Sequence, residues 1–310
     1  MKRLFLPIGF VCLPLIIICA CNAASTSQKP TPPDKQNDTL QKQIEQIASA
    51  AKGRVGVAAE VLETGESVSL NPHGQFPMQS VYKLPIGMAA LAQVDNGKLK
   101  LEQKVRVEKS DFVRLGQASP VRDRYPNGVE LTLNELLRFT VSESDGTTSD
   151  VVLDLVGVEA VTKYLNELGI NEIVVANSEK EIGRDRETQY RNWASPQGAV
   201  QVLRILHERR GGLSEQSQQL LLKYMTETPT SAKRLKGLLP KTVVVAHKTG
   251  TGGSNDGVAP ATNDIGLITL PDGRHLAIAV FVSDARADLA TREGTIARIA
   301  KAIWDQFTQE

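Results

Sequence analysis

"MQSVYKLP", residues 78–85, marks the point where the pattern of the chain changes. Before it, "RVGVAAEVLE" (54–63) alternates, with Val55, Val57, Ala59 and Val61 on one face of a strand. "ETGES" (63–67) turns it back into "VSLNP" (68–72). After it, "LTLNELLRFTV" (131–141), "GVEAVTKYLNELG" (157–169) and "SPQGAVQVLRILHERR" (195–210) repeat apolar residues at three and four, the helical period. Strands return in "TVVVAHKTGT" (242–251), "NDIGLITL" (263–270) and "HLAIAVFV" (275–282). "PDGR" (271–274) joins the last two as a hairpin signal. Helical spacing marks both ends. "DTLQKQIEQIASAAKG" (38–53) aligns Leu40, Ile44, Ile47 and Ala51, with Asp38 as a cap and Gly53 as a stop, and "TREGTIARIAKAIWDQF" (291–307) is amphipathic.

This order predicts an α/β (α+β) fold: an antiparallel five-stranded sheet flanked by terminal helices, with an inserted all-helical lobe. One domain spans residues 38–310. Its α/β lobe takes in about 38–79 and 231–310, and its helical lobe about 80–230. Such an insertion makes a cleft between lobes, a common place for a small-molecule site.

At the junction, Ser80 has two readings. It can cap the helix that follows, or act as a nucleophile with Lys83 as its partner. A capping box would place Glu or Gln three residues on, and here that residue is Lys83. Positions i and i+3 share a helix face, so hydroxyl and amine can meet. A second serine–x–x–lysine, Ser49 and Lys52, sits near the end of a surface-type helix and reads as chance. Two further motifs give weight to the nucleophile. "SESDGTTSD" (142–150) carries Ser144-Asp145-Gly146 at the end of a helical pattern, and "AHKTGTGG" (246–253) carries Lys248-Thr249-Gly250 at the end of a Val-rich strand. Alone, the first would be a capped loop and the second a glycine turn. In this order the three match the signature of active-site serine enzymes acting on penicillin.

The sequence resembles a class A serine β-lactamase over nearly all of residues 38–310. It is most similar to the extended-spectrum PER-like branch through "QSVYKLP", "QYRNW", "RLKGLLP" and "VVAHKTGT". The resemblance implies hydrolysis of the β-lactam amide of penicillins and cephalosporins, conferring antibiotic resistance, with neither cofactor nor metal. Ser80 would attack the lactam carbonyl and Lys83 would help to deprotonate it, an assignment disputed with the later glutamate. Ser144 would relay a proton to the lactam nitrogen. Lys248, Thr249, Gly250 and Thr251 would line the substrate carboxylate site, and the N–H groups of Ser80 and Thr251 would form the oxyanion hole. Arg234 is either a second carboxylate anchor or an ordinary surface arginine.

Hydrolysis also needs a deacylating base. In "ELGINEIVVANSEKEIGRDRETQYRNW" (167–193), a gap-free match to the PER-like pattern puts Glu179 there. Glu181 is the alternative, and a third reading makes both of them solvated loop charges. The chain departs from the family at Gly146, where asparagine is usual and contacts substrate. It departs again at Gly183, where asparagine commonly helps to hold the hydrolytic water, and at Ala118, where an aromatic residue often walls the cleft. The three changes together suggest a roomy site. A penicillin-binding DD-peptidase or transpeptidase, and a non-catalytic β-lactam sensor, are the rival functions.

Composition sets the outer limits. The chain has 310 residues, 41% hydrophobic and 23% charged, with net charge +1. That is ordinary globular composition with no basic block, so no nucleic-acid partner is expected. A monomer is the expectation, although composition does not bear on it. Lys2 and Arg3 precede the apolar "LFLPIGFVCLPLIIICA" (4–20), interrupted by Pro7 and Pro14. This reads as an export signal over residues 1–20 rather than a transmembrane anchor. "ICAC" (18–21) resembles a lipobox, with Cys21 the lipidated residue and simple soluble export the alternative. Residues 21–37 are rich in Pro and Ser and read as a flexible tether to the membrane, placing the domain in the periplasm. Cys12, Cys19 and Cys21 all precede the domain, which therefore has no disulfide and no thiolate metal site.

Overall fold

The structure, a computed structural model, describes Met1 and residues 35–308. The expected signal segment and lipidation site at Cys21 lie outside the described residues, as does most of the tether. The chain begins with α1 (Lys35–Ser49), β1 (Arg54–Val61), β2 (Ser67–Leu70) and β3 (Phe76–Pro77). A 3₁₀ turn (Gln79–Tyr82) leads into α2 (Lys83–Asp95), β4 (Lys104–Val107), α3 (Pro120–Arg124), β5 (Val129–Thr132) and α4 (Leu133–Val141). Next come α5 (Gly146–Val156), α6 (Val158–Glu167), β6 (Ile173–Val174), α7 (Glu179–Ile182) and β7 (Trp193–Ala194). The chain closes with α8 (Pro196–His207), α9 (Glu215–Thr226), β8 (Val245–Thr251), β9 (Ala259–Thr269), β10 (His275–Ala285) and α10 (Leu289–Thr308).

The main sheet has five strands in the order β2-β1-β10-β9-β8, and each neighbouring pair is antiparallel. That is the sheet the alternating pattern predicts. It is buried on both faces, and β10 shows how. Leu276, Ile278, Val280 and Val282 enter one core with Ile44 of α1 and Ile296, Ile299 and Ile303 of α10. Ala277, Ala279 and Phe281 enter a second core with Phe76, Ile86 and Leu203. Burial on both faces is why apolar residues also fill the alternate positions, as Ala277, Ala279 and Phe281 do in β10. The long block between β2 and β8 carries helices, together with the short pairings β4–β5 and β3–β7–β6.

Several boundaries differ from expectation, three of them at the first helix and β9. The first helix begins at Lys35, so Asp38 lies in its first turn rather than capping it, and the helix reaches into the expected tether. That helix ends at Ser49, and Gly53 serves a different purpose from a stop. A Cβ at Gly53 would lie 2.6 Å from the Cα of Ala285, so glycine allows the chain to pass against the end of β10. Strand β9 starts at Ala259 rather than Asn263, because Pro260 and Asn263 give its first half the look of a loop.

Candidate active site

Ser80 sits in the 3₁₀ turn ahead of α2, partly buried. The residue before that turn is Met78 and the residue before α2 is Tyr82, and neither helix start carries a side-chain cap. The capping reading of Ser80 therefore fails. The turn is suspended from the sheet: Asn263 of β9 donates from Nδ2 to Pro77 O at 2.8 Å and to Met78 O at 3.1 Å. Gly250 of β8 lies directly behind it. A Cβ there would fall 2.3 Å from Met78 O and 3.3 Å from the Ser80 nitrogen, so only glycine admits this approach.

Lys83, in the first turn of α2, is buried, with 1% relative exposure. Its Nζ donates to the backbone carbonyl of Ser144 at 2.8 Å and lies 2.9 Å from Glu179 Oε1. Ser144 has φ 58°, the left-handed region that a serine rarely adopts. Asp145 fixes this turn from below. Fully buried, it accepts from Val121 N at 2.6 Å and from Thr148 N at 2.8 Å, and caps α5. Burial raises its pKa, while those N–H donors oppose the shift.

From the opposite wall, Lys248 of β8 donates from Nζ to Ser144 Oγ at 2.7 Å. Burial holds its pKa well below the usual lysine value, and the nearby Lys83 charge adds to that. Thr249 shares a hydrogen bond with Thr230 at 3.0 Å, and Thr230 another with Thr228 at 2.8 Å. Thr251 is exposed, and its Oγ1 accepts from Arg234 Nη2 at 2.7 Å. Arg234 itself is 1% exposed, which rules out the surface-arginine reading. It also donates to Gly250 O at 3.1 Å, to Asn263 O at 2.9 Å and to Glu293 Oε1 at 3.3 Å. These bonds commit its fork to the protein, so it braces the end of β8 from behind.

The structure separates the two loop glutamates. Glu179 is the first residue of α7 and points its carboxylate at Lys83. Glu181 turns the other way. It completes a capping box with Ser178, accepting from Ser178 N at 2.9 Å, and that bond lowers its pKa. Asp150 of α5 reaches up to the same turn, where it accepts from Glu179 N at 2.6 Å and Lys180 N at 3.0 Å. Burial pushes Asp150 up to about 6, against the pull of the two N–H donors. Asn192 pins the base of the loop, accepting from Ala176 N and Asn177 N, both at 2.8 Å.

The glycines expected to open the site do less than that. A Cβ on Gly183 would lie 2.5 Å from Gln117 Oε1, because the Gln117 side chain already fills that place. Its Nε2 donates to Glu179 O at 2.6 Å. At Gly146 a Cβ would meet Ala118 O at 3.1 Å and Val113 at 3.4 Å. The 113–118 segment closes in where side chains are missing, while Ala118 itself remains exposed. Asp150, Gln117, Asn263 and Thr230 were not identified from sequence, since each acts through a partner distant in the chain. The Ser178–Glu181 box was legible as serine–x–x–glutamate.

Two buried lysines, Lys83 from α2 and Lys248 from β8, meet at Ser144, and with the Ser80 turn and this sheet they place the chain among the serine enzymes of the transpeptidase-like fold. Residues 39–307 match the model of the beta-lactamase enzyme family, and the chain belongs to that family. It is 42% identical over 270 residues to the extended-spectrum beta-lactamase PER-1 of Pseudomonas aeruginosa, covering 87% of each chain. With the beta-lactamase VEB-1 of the same organism it shares 39% over 274 residues, covering 88% of this chain and 91% of the relative. A solved beta-lactamase structure from Chitinophaga pinensis superposes with a TM-score of 0.84 at 44% identity, over 86% of this chain and 98% of that one.

Proposed function

We propose that this β-lactamase opens the lactam amide through an acyl-enzyme on Ser80 and clears it with a water activated by Glu179. The observation that carries the reading is Lys83 Nζ, set between Ser144 O at 2.8 Å and Glu179 Oε1 at 2.9 Å, on the turn that follows Ser80. In the first half-reaction Lys83, neutral after handing a proton to Glu179 that it later takes back, receives the proton of Ser80 as Ser80 Oγ attacks the carbonyl. The C–N bond breaks as Ser144 gives its own proton to the lactam nitrogen and is reprotonated from the lysine side. In the second, Glu179 takes a proton from water, the hydroxide attacks the ester, and Ser80 leaves with that proton returned.

Lys248, Thr249 and Thr251 are suited to the substrate carboxylate. Arg234 takes a lone pair of Thr251, which leaves the threonine proton to face outward. The extended-spectrum name of a relative, together with the exposed Ala118, supports acceptance of bulky oxyimino-cephalosporins. Hydrolysis of a chromogenic cephalosporin by the purified protein tests the reading. Steady turnover that vanishes in Ser80→Ala is expected. A single stoichiometric burst followed by arrest would instead indicate a DD-peptidase. The lipobox-like "ICAC" supports a periplasmic domain anchored through acylated Cys21, and the intact mass of the native protein decides that point.

A further inference from the structure

Away from Ser80, three residues distant in the chain meet at the surface. Glu63 follows the end of β1, His275 opens β10, and His207 closes α8. The active-site end of β8 lies across the sheet, where Thr251 pairs with Thr262 and Thr262 with Val282 near the far end of β10.

Glu63 Oε1 lies 2.8 Å from His275 Nδ1 and 3.8 Å from His207 Nε2, and the three ligand atoms are all within 4.8 Å of one another. The two imidazole rings stand 4.4 Å apart between centroids. Glu63 is held in place by its other oxygen, which accepts from the His275 backbone N–H at 2.8 Å. The cations nearby are already matched. Arg204 pairs with Glu60 at 2.6 Å and with Glu208 at 3.0 Å, and Arg210 with Glu208 at 2.7 Å. Glu63 is thus left to the two histidines. A hydrogen bond accounts for His275 but not for His207, whose nitrogen is too far from the carboxylate to share one.

We propose that Glu63, His207 and His275 form a binding site for a divalent transition-metal ion of the zinc class. Zinc takes nitrogen and carboxylate oxygen at roughly 2.0–2.2 Å, so tetrahedral ligands stand about 3.3 Å apart. The observed 2.8 and 3.8 Å bracket that spacing, and small side-chain rotations close the difference. His207 lies in the last turn of α8, where the negative end of the helix dipole favours a cation. With three protein ligands the ion keeps water in its remaining position. On binding, His275 exchanges the proton on Nδ1 for one on Nε2, and Nδ1 turns to the metal. The ion then ties the β1–β2 turn, the start of β10 and the end of α8 together.

The test is calorimetric titration of zinc chloride into the full chain, with thermal unfolding measured alongside. One saturable zinc per protein is expected, with a midpoint that climbs with zinc, returns on adding chelator and ignores magnesium. His207→Asn, His275→Asn and Glu63→Gln should each weaken binding by about tenfold or more. Their cephalosporin turnover without zinc should match wild type, which shows that they fold. The absence of saturable binding up to about 1 mM zinc would overturn the proposal, a level far above the affinity of built zinc sites. Unchanged binding in the His207→Asn/His275→Asn double variant would also overturn it, by placing the ion elsewhere on the chain.

Discussion

Ser144 pairs with two lysines while its backbone holds φ at 58°. Its carbonyl accepts from Lys83 and its hydroxyl from Lys248, so the left-handed turn is fixed from both sides. A side chain in that region costs on the order of 1–2 kcal/mol, which glycine avoids. Replacing Ser144 by alanine or by glycine removes the same hydroxyl. The glycine variant should nonetheless be the more stable by about 1 kcal/mol, reversing the usual order, while both lose turnover. Urea denaturation of the pair checks this. The two loop glutamates invite a second comparison. Glu179→Gln keeps size and removes the carboxylate proposed as the base, so deacylation should slow by roughly 10²–10⁴-fold. Mass spectrometry after mixing with a penicillin should then show an adduct on the Ser80 peptide. Glu181→Gln preserves the capping box, since glutamine serves in that position, and should leave turnover near wild type. Loss of turnover in Glu181→Gln alone would reverse the assignment.

At the scale of elements, α7 is four residues long and owes its place to neighbours rather than to its own propensity. Asp150 supplies two acceptors to its first N–H groups. That carboxyl titrates near 6 in the fold against 3.8 unperturbed. Its contribution to stability is therefore complete below about pH 4 and is lost as pH rises through about 6. Relative to Asp150→Asn, wild type should be more stable at pH 4 than at pH 7, by on the order of 2–3 kcal/mol. A flat difference across that range would refute the shift. Strands β1, β8 and β10 and the serine and lysine motifs could be read from the sequence because period and spacing are local properties. The Asp150–α7 contact could not, because nothing near residue 150 announces a partner near residue 180. Gly183 misled for a related reason. An absent side chain looks like space until Gln117, distant in the chain, is seen to fill it. The zinc-class cluster at residues 63, 207 and 275 likewise has no spacing signal.

At the scale of the molecule, Ser80 hangs between two bodies of structure. The sheet holds its turn through Asn263 and supplies Lys248, while the helical block supplies Ser144 and Glu179. Neither half assembles the site alone. Cephalosporin hydrolysis and far-ultraviolet circular dichroism, followed across a urea series, should fall in one coincident transition. Activity lost at clearly lower urea would mean that the halves part before they unfold. The seam also has a consequence for a bacterium under antibiotic. A half-folded copy protects nothing, so resistance scales with the number of intact molecules. Substitutions at remote core positions such as Ile303, far from any drug, then register directly as survival or death.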